Sequence, residues 1–77
     1  MFYTYILKLE NNTYYIGYSI NLRNRMYEHK KREVHQTKNR TFRLVFYAAF
    51  ESKLNALRFE KYLKTGSGYA FKNKHLI

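Results

Sequence analysis

Two short segments of aromatic and β-branched residues stand at the start of the chain, with a polar turn between them. The first segment, residues 2–9, has the loose alternation of a half-buried strand. Residues 10–13 read Glu-Asn-Asn-Thr, and asparagine tolerates the positive φ angle that a tight hairpin turn requires. Residues 14–18 form the second segment. The pattern therefore predicts that the fold opens with a β-hairpin.

The middle of the chain predicts a helix and a third strand. Residues 21–35 carry apolar side chains on one side of a helix that is otherwise mostly basic, and either Ser19 or Asn21 is suited to cap its start. Residues 36–40 are polar and predict a loop. Residues 42–50 are almost continuously apolar, which is typical of a central strand that is covered on both faces.

Two further helices are predicted at the end of the chain. Ser52 is suited to cap a helix that runs from residue 53 to about residue 64. Gly66 stands where a left-handed C-terminal cap is expected, and a short final helix covers residues 69–76. The predicted order is thus β-β-α-β-α-α. This is an α+β fold with a three-stranded, mainly antiparallel sheet flanked by helices, and we expect residues 1–77 to form a single domain.

Charge and composition narrow the classes of function. Fifteen Lys and Arg residues stand against five Glu and no Asp, which gives a formal charge of +10, and 45% of the residues are hydrophobic. A chain of this kind folds and attracts polyanions. Nucleic acid suits it better than a membrane, because the positive charge is spread along the chain rather than along one helix face. The absence of Cys excludes disulfides, thiolate zinc sites and a cysteine nucleophile, and we expect a cytoplasmic protein.

An ordered set of motifs carries the clearest functional signal. Tyr-Thr-Tyr at residues 3–5 and Tyr-Ile-Gly at residues 15–17 lie on the hairpin, Arg25 and His29 on the first helix, and Glu60 on the second. This set resembles the GIY-YIG nuclease superfamily in its small, stand-alone, single-domain bacterial form. The same module occurs as the N-terminal nuclease domain of excision-repair incision subunits and in some homing endonucleases. The first triplet departs from the family pattern, because only its final tyrosine is retained.

The resemblance implies a role for each residue of the set. Tyr5, helped by Tyr15, serves as or assists the general base that activates a water molecule. Arg25 grips the phosphate and stabilises the charge of the transition state, with His29 in a supporting role. Glu60 is the sole protein ligand of one divalent ion, Mg²⁺ or Mn²⁺, which waters and a phosphate oxygen complete.

Each of these residues also has an ordinary structural explanation. A tyrosine among nine is more often a core ring, Arg25 is one of fifteen basic residues, and a lone His29 is more often packed or capping. Glu60 can form a helix ion pair with Lys64, four residues further on. Other polar and basic residues are equally suited to contacting a DNA backbone or to remaining solvated: Ser19, Asn21, Lys38, Arg40, Arg43 and residues 72–75.

The resulting hypothesis is a metal-dependent endonuclease that hydrolyses DNA phosphodiester bonds. One active site would nick one strand, family analogy implies a 5′-phosphate product, and DNA repair is one setting for the activity. Structured RNA is the other substrate considered, and no membrane partner is expected. The alternative is a non-catalytic basic nucleic-acid-binding module of the same fold, and a third class is an interaction domain that recruits a repair complex. The joint presence of Tyr5, Tyr15, Arg25 and Glu60 favours catalysis, because a pure binder needs none of them.

Overall fold

The computed structural model describes residues 1–31 and 41–77, and it has the predicted α+β architecture. Six elements follow one another in the predicted order: β1 (Phe2–Leu9), β2 (Tyr14–Ser19), α1 (Leu22–Lys30), β3 (Phe42–Phe50), α2 (Lys53–Leu63) and α3 (Gly66–His75). The predictions for the end of the first helix, for the loop 36–40 and for Lys38 and Arg40 fall outside the described residues. No helix in the described ranges has the length and apolar character needed to cross a membrane.

The sheet has the order β2-β1-β3, with β1 antiparallel to both of its neighbours. The expectation that residues 42–50 form the central strand is therefore wrong. The central strand is β1, whose residues 4–7 are fully buried, whereas Leu44 and Tyr47 of β3 are exposed. The apolar run of β3 is misleading because it mixes side chains that pack on helices with side chains, such as Leu44 and Tyr47, that are exposed. Phe46 and Phe50 pack on Phe59, with ring centroids 6.3 and 5.7 Å apart.

The hairpin turn forms as its asparagines predict. Asn12 has a φ angle of 64°, which is the left-handed conformation that asparagine tolerates better than most residues. The backbone N–H of Asn12 donates to the carbonyl of Leu9 at 3.0 Å, and the N–H of Leu9 donates to the carbonyl of Thr13 at 2.8 Å. The turn thereby sets the register that pairs Tyr5 with Gly17.

Alternation along β1 sends its side chains to two different helix layers. Thr4 faces α2 and donates a hydrogen bond of 2.6 Å to the carbonyl of Ala56. Tyr5, the next residue, points to the opposite face, where it meets His29 of α1. Both helices begin at predicted caps, since Asn21 accepts from the N–H of Asn24 in α1, and Ser52 caps α2 in the same way. The sheet is thus held between α1 on one side and α2 with α3 on the other.

The junction of α2 and α3 differs from its prediction. Gly66 is the first residue of α3 and has no positive φ angle, so it is not a left-handed cap of α2. Thr65 caps α3 instead, accepting a hydrogen bond of 3.1 Å from the N–H of Gly68. Gly68 lies so close to α2 that an added Cβ would stand 1.7 Å from the carbonyl oxygen of Tyr62. The second glycine is therefore a close-packing residue, and the tight turn leaves α3 against α2.

Candidate active site

Tyr5 occupies the centre of the candidate site. Its side chain is 0% exposed, and its ring lies across the backbone of Gly17 on β2. A Cβ atom added to Gly17 would stand 2.4 Å from both Cζ and Oη of Tyr5. Real Cβ atoms do not approach other atoms so closely, so the place of the tyrosine ring depends on a glycine at this position of the neighbouring strand.

Two residues of α1 converge on the hydroxyl group of Tyr5. His29 Nε2 lies 2.8 Å from Tyr5 Oη, and Arg25 Nε donates to the same oxygen at 3.2 Å. A guanidinium group can only donate hydrogen bonds. The arrangement that satisfies all three groups has the Tyr5 oxygen accepting from Arg25 while the Tyr5 hydroxyl donates to an unprotonated His29 nitrogen. The spacing of one helical turn between Arg25 and His29 is what brings both to one atom.

Burial changes the acid–base properties of this cluster. It raises the pKa of Tyr5 to about 12, an effect that the hydrogen bond from Arg25 offsets in part. Burial and the positive charge of Arg25 lower the pKa of His29 to about 4. At neutral pH both groups are therefore uncharged, which matches a hydroxyl that donates to a neutral imidazole.

The pKa of His29 predicts a specific loss of stability in acid. Because the folded protein binds this proton less tightly than the unfolded chain, stability is complete above about pH 6.5 and falls as the pH drops towards 4. A tenfold change in proton affinity is worth about 1.4 kcal/mol, so the expected loss is on the order of 2 to 3 kcal/mol. Urea unfolding of the wild type and His29→Gln between pH 4 and 7 measures it.

The His29→Gln variant should lack this part of the pH dependence, whereas His75→Gln should keep it because His75 is exposed at the end of α3. Equal slopes for the wild type and His29→Gln would contradict a neutral, buried His29 in the folded protein.

Arg25 is half-buried and is held at two of its nitrogen atoms. Besides the bond from Nε to Tyr5, its Nη1 lies 3.6 Å from Glu28 Oε1. Burial lowers the pKa of Arg25, but interactions with Tyr5 and Tyr15 outweigh that effect and raise it above its ordinary value. The guanidinium group is thus a fixed, permanent cation, and the N–H groups that Tyr5, Tyr15 and Glu28 do not engage can bind an anion.

Tyr15 borders the same cluster from β2. Its ring centroid lies 6.2 Å from that of Tyr5 and 5.1 Å from that of His29. The two tyrosine rings therefore meet, although Tyr15 pairs directly with Leu7 rather than with Tyr5. Unlike Tyr5, Tyr15 is only half-buried, so it is the tyrosine of the pair that borders solvent.

Glu60 stands on α2 with its side chain 21% exposed. Lys64 Nζ donates to Glu60 Oε2 at 3.2 Å, so the helix ion pair that the spacing suggests is present. The negative charge of Glu60 also contributes to the raised pKa of Tyr5, which places the carboxylate within electrostatic range of the cluster. Among the described residues no group of three His, Asp or Glu side chains surrounds a common point. A single accessible carboxylate suits Mg²⁺, which retains most of its waters.

Some features of the site are not visible in the sequence. Neither the ring of Tyr5 lying on Gly17 nor the bond between Tyr5 and His29 could be assigned from spacing, since 24 residues separate that hydrogen-bonded pair. The contact between Glu28 and Arg25 was indicated in the sequence only by their spacing of three residues on one helix. The one usable clue to the contact between Tyr5 and Gly17 was the register of the hairpin, because it places this glycine directly opposite Tyr5.

Comparisons with known proteins identify the relatives of this chain. Residues 1–74 match the family model of the GIY-YIG catalytic domain. A UPF0213 protein of Pediococcus pentosaceus is 37% identical over 65 residues, which cover 82% of this chain and 68% of the relative. A UPF0213 protein of Pediococcus acidilactici is 31% identical over 70 residues, covering 86% and 71%. The solution structure of a UPF0213 protein from Bacillus halodurans matches with a TM-score of 0.61 at 32% identity, covering 96% of this chain and 82% of that one.

Proposed function

The chain belongs to the GIY-YIG catalytic domain family, and from this premise we propose that it is a metal-dependent endonuclease that hydrolyses phosphodiester bonds of DNA. The observation that carries the proposal is the convergence of Arg25 and His29 on the Tyr5 hydroxyl, at 3.2 and 2.8 Å, beside the half-buried ring of Tyr15. A protein that only bound nucleic acid would need positive charge, but not a buried network that fixes one arginine.

Arg25 is the residue that would hold the scissile phosphate. Its Nε is used by Tyr5, its Nη1 is turned towards Glu28, and Tyr15 also forms a hydrogen bond with the guanidinium group. Of the five N–H donors of an arginine, those not used by these partners would be left for a phosphate. Two parallel hydrogen bonds to phosphate oxygens would orient the group. Donors fixed before the reaction stabilise charge as it develops in the transition state, without a cost of reorganisation at that moment.

Tyr5 and Tyr15 differ in burial, and this difference suggests different roles for them. Tyr5 was expected to activate the water, but it is fully buried and its hydroxyl is engaged by Arg25 and His29. We therefore assign the orientation of the attacking water to Tyr15, which borders solvent next to Arg25. Tyr5 and His29 act as positioning residues that hold the guanidinium group in place.

Glu60 is the residue that would hold the divalent ion, Mg²⁺ or Mn²⁺. When bound, the ion would supply positive charge to stabilise the leaving 3′-oxygen. Lys64 would have to release the carboxylate, and a helix ion pair of this kind is worth only a few tenths of a kcal/mol. The carboxylate is thus available at little cost.

Nicking of supercoiled plasmid DNA tests the proposal. With Mg²⁺ or Mn²⁺ the protein is expected to convert supercoiled plasmid to the open-circular form, and excess EDTA is expected to stop the conversion while DNA binding persists. A protein that binds DNA in a salt-dependent way but cuts neither plasmid nor branched DNA nor structured RNA would instead be a nucleic-acid-binding module of this fold.

A further inference from the structure

Lys72 of α3 is a buried cation outside the cluster around Tyr5. Its side chain is 4% exposed, and its ammonium group lies between two tyrosine rings. The distance from Nζ is 4.6 Å to the ring centroid of Tyr14 on β2 and 4.8 Å to that of Tyr69 on α3. The lysine therefore joins α3 to the edge of the hairpin through cation–π contacts.

This cation has no anionic partner in the described ranges of the chain. The ion pairs found there join Arg25 to Glu28 and Lys64 to Glu60, and no hydrogen-bond acceptor contacts Lys72 Nζ. A buried charge is costly unless it is paired, and two ring faces offset only part of that cost. The unpaired ammonium group therefore favours an anion supplied from outside the protein.

Lys72 lines a surface cavity of about 410 Å³. Tyr69 forms one wall and is 60% exposed, so a large part of its ring is open to solvent. Lys64, Lys72 and the turn residues Asn12 and Thr13 also line the cavity, and no carboxylate of residues 1–31 or 41–77 does. The cavity thus combines positive charge with an open aromatic ring, the two features that hold single-stranded nucleic acid.

The cavity adjoins the proposed active site at β2, an edge strand of the described sheet. Lys64, one of its lining residues, donates to Glu60 at 3.2 Å. Tyr14 and Tyr15 are consecutive residues of β2 and so face opposite sides of the sheet. Because β2 lies at the edge of the described sheet, a strand that passes around this edge reaches both sides.

We propose that this cavity is a nucleotide subsite that holds one unpaired nucleotide of the substrate strand, around the β2 edge from the cleaved phosphate. Lys72 and Lys64 contact its phosphate, and Tyr69 stacks on its base. The inference rests on the proposed function, since the strand that it holds is the substrate, and it adds a preference for DNA with an unpaired segment beside the cut.

Fluorescence anisotropy in EDTA measures the subsite without cleavage. The probes are a labelled single-stranded oligothymidylate, a blunt duplex of the same length, and inorganic phosphate or thymidine monophosphate as competitors. Tyr69→Ala is expected to weaken binding of the single strand about tenfold, and the duplex less than about twofold. Tyr69→Phe should bind like the wild type. Tyr47→Ala, an equally exposed tyrosine on the other sheet face, should do so as well.

Lys72→Met, which keeps an apolar stem between the rings, is expected to weaken single-strand binding and to reduce the salt dependence by about one phosphate contact.

Wild-type binding by folded Tyr69→Ala would overturn the proposal. The cation–π contacts of Lys72 would then serve only to stabilise the packing of α3 on the hairpin. An equal loss for strand and duplex would overturn it too, as would competitors that bind as tightly as the strand. Because binding is read without metal, a chain that binds as expected but never nicks DNA would refute the proposed function alone.

Discussion

Arg25→Ala and Glu60→Gln are each expected to lower the rate of plasmid nicking by about 10²- to 10³-fold, the range seen when one fixed donor to a transition state is lost. Arg25→Ala removes the cation that Tyr5 holds at 3.2 Å. Glu60→Gln removes the charge that would bind the metal ion but retains the shape of the side chain. Both variants should keep most of their DNA affinity, because at least fourteen of the fifteen basic residues that attract the backbone are unchanged.

Matched controls separate these roles from a general loss of charge. Arg23→Ala removes an exposed arginine from the same helix, and Glu51→Gln removes an exposed carboxylate just before α2. Both controls should nick DNA at close to the wild-type rate. A Glu60→Gln variant with full Mg²⁺-dependent activity would show that the ion is held elsewhere, and full activity of Arg25→Ala would remove the central residue of the mechanism.

Gly17→Ala is expected to damage both the stability of the fold and the active site. The added methyl group would stand 2.4 Å from Tyr5 Cζ and Oη, and the fully buried ring cannot move away without displacing its partners on α1. Overpacking of this kind costs about 1 to 3 kcal/mol. For a domain of this size the melting temperature should fall by roughly 5 to 20 °C. Nicking should fall even below that temperature, because the hydroxyl that holds Arg25 is displaced.

Gly66→Ala is the control for a glycine-to-alanine change, since a Cβ at Gly66 meets no atom within 4 Å. That variant should melt at or slightly above the wild-type temperature, because alanine favours a helix over glycine. If Gly17→Ala and Gly66→Ala behaved alike in thermal unfolding and in nicking, the close contact between Gly17 and Tyr5 would not govern the site.

Much of the fold was predictable because its determinants are local. Asparagine at the hairpin turn, Ser52 before α2 and the alternation of β1 each act over a few residues, and each appears in the structure where it was predicted. The family resemblance rested on order and spacing, and the match over residues 1–74 confirms it. The roles of Tyr5, Tyr15, Arg25, His29 and Glu60 in catalysis stay predictions, as does the divalent ion.

The misjudged elements all depended on neighbours that are distant in sequence. The apolar run of β3 is typical of a buried strand. The buried strand of a sheet is the one with a neighbour on each side, however, and in this sheet that strand is β1. Gly66 follows a helix and so suggests a C-terminal cap, yet it is the first residue of α3, which Thr65 caps and which Gly68 allows to pack closely against Tyr62 of α2. Local composition carries no information about such contacts.

The sequence by itself determined the order of the secondary-structure elements, the positive charge and the family to which the chain belongs. Only the tertiary structure decided how the candidate site residues are placed relative to one another. It buries Tyr5 and joins it to Arg25 and His29, leaves Tyr15 at the solvent border, and places Lys72 between two rings. The physical reason is that turn and helix preferences act along the chain, whereas desolvation, pKa shifts and cation–π contacts arise between elements brought together by packing.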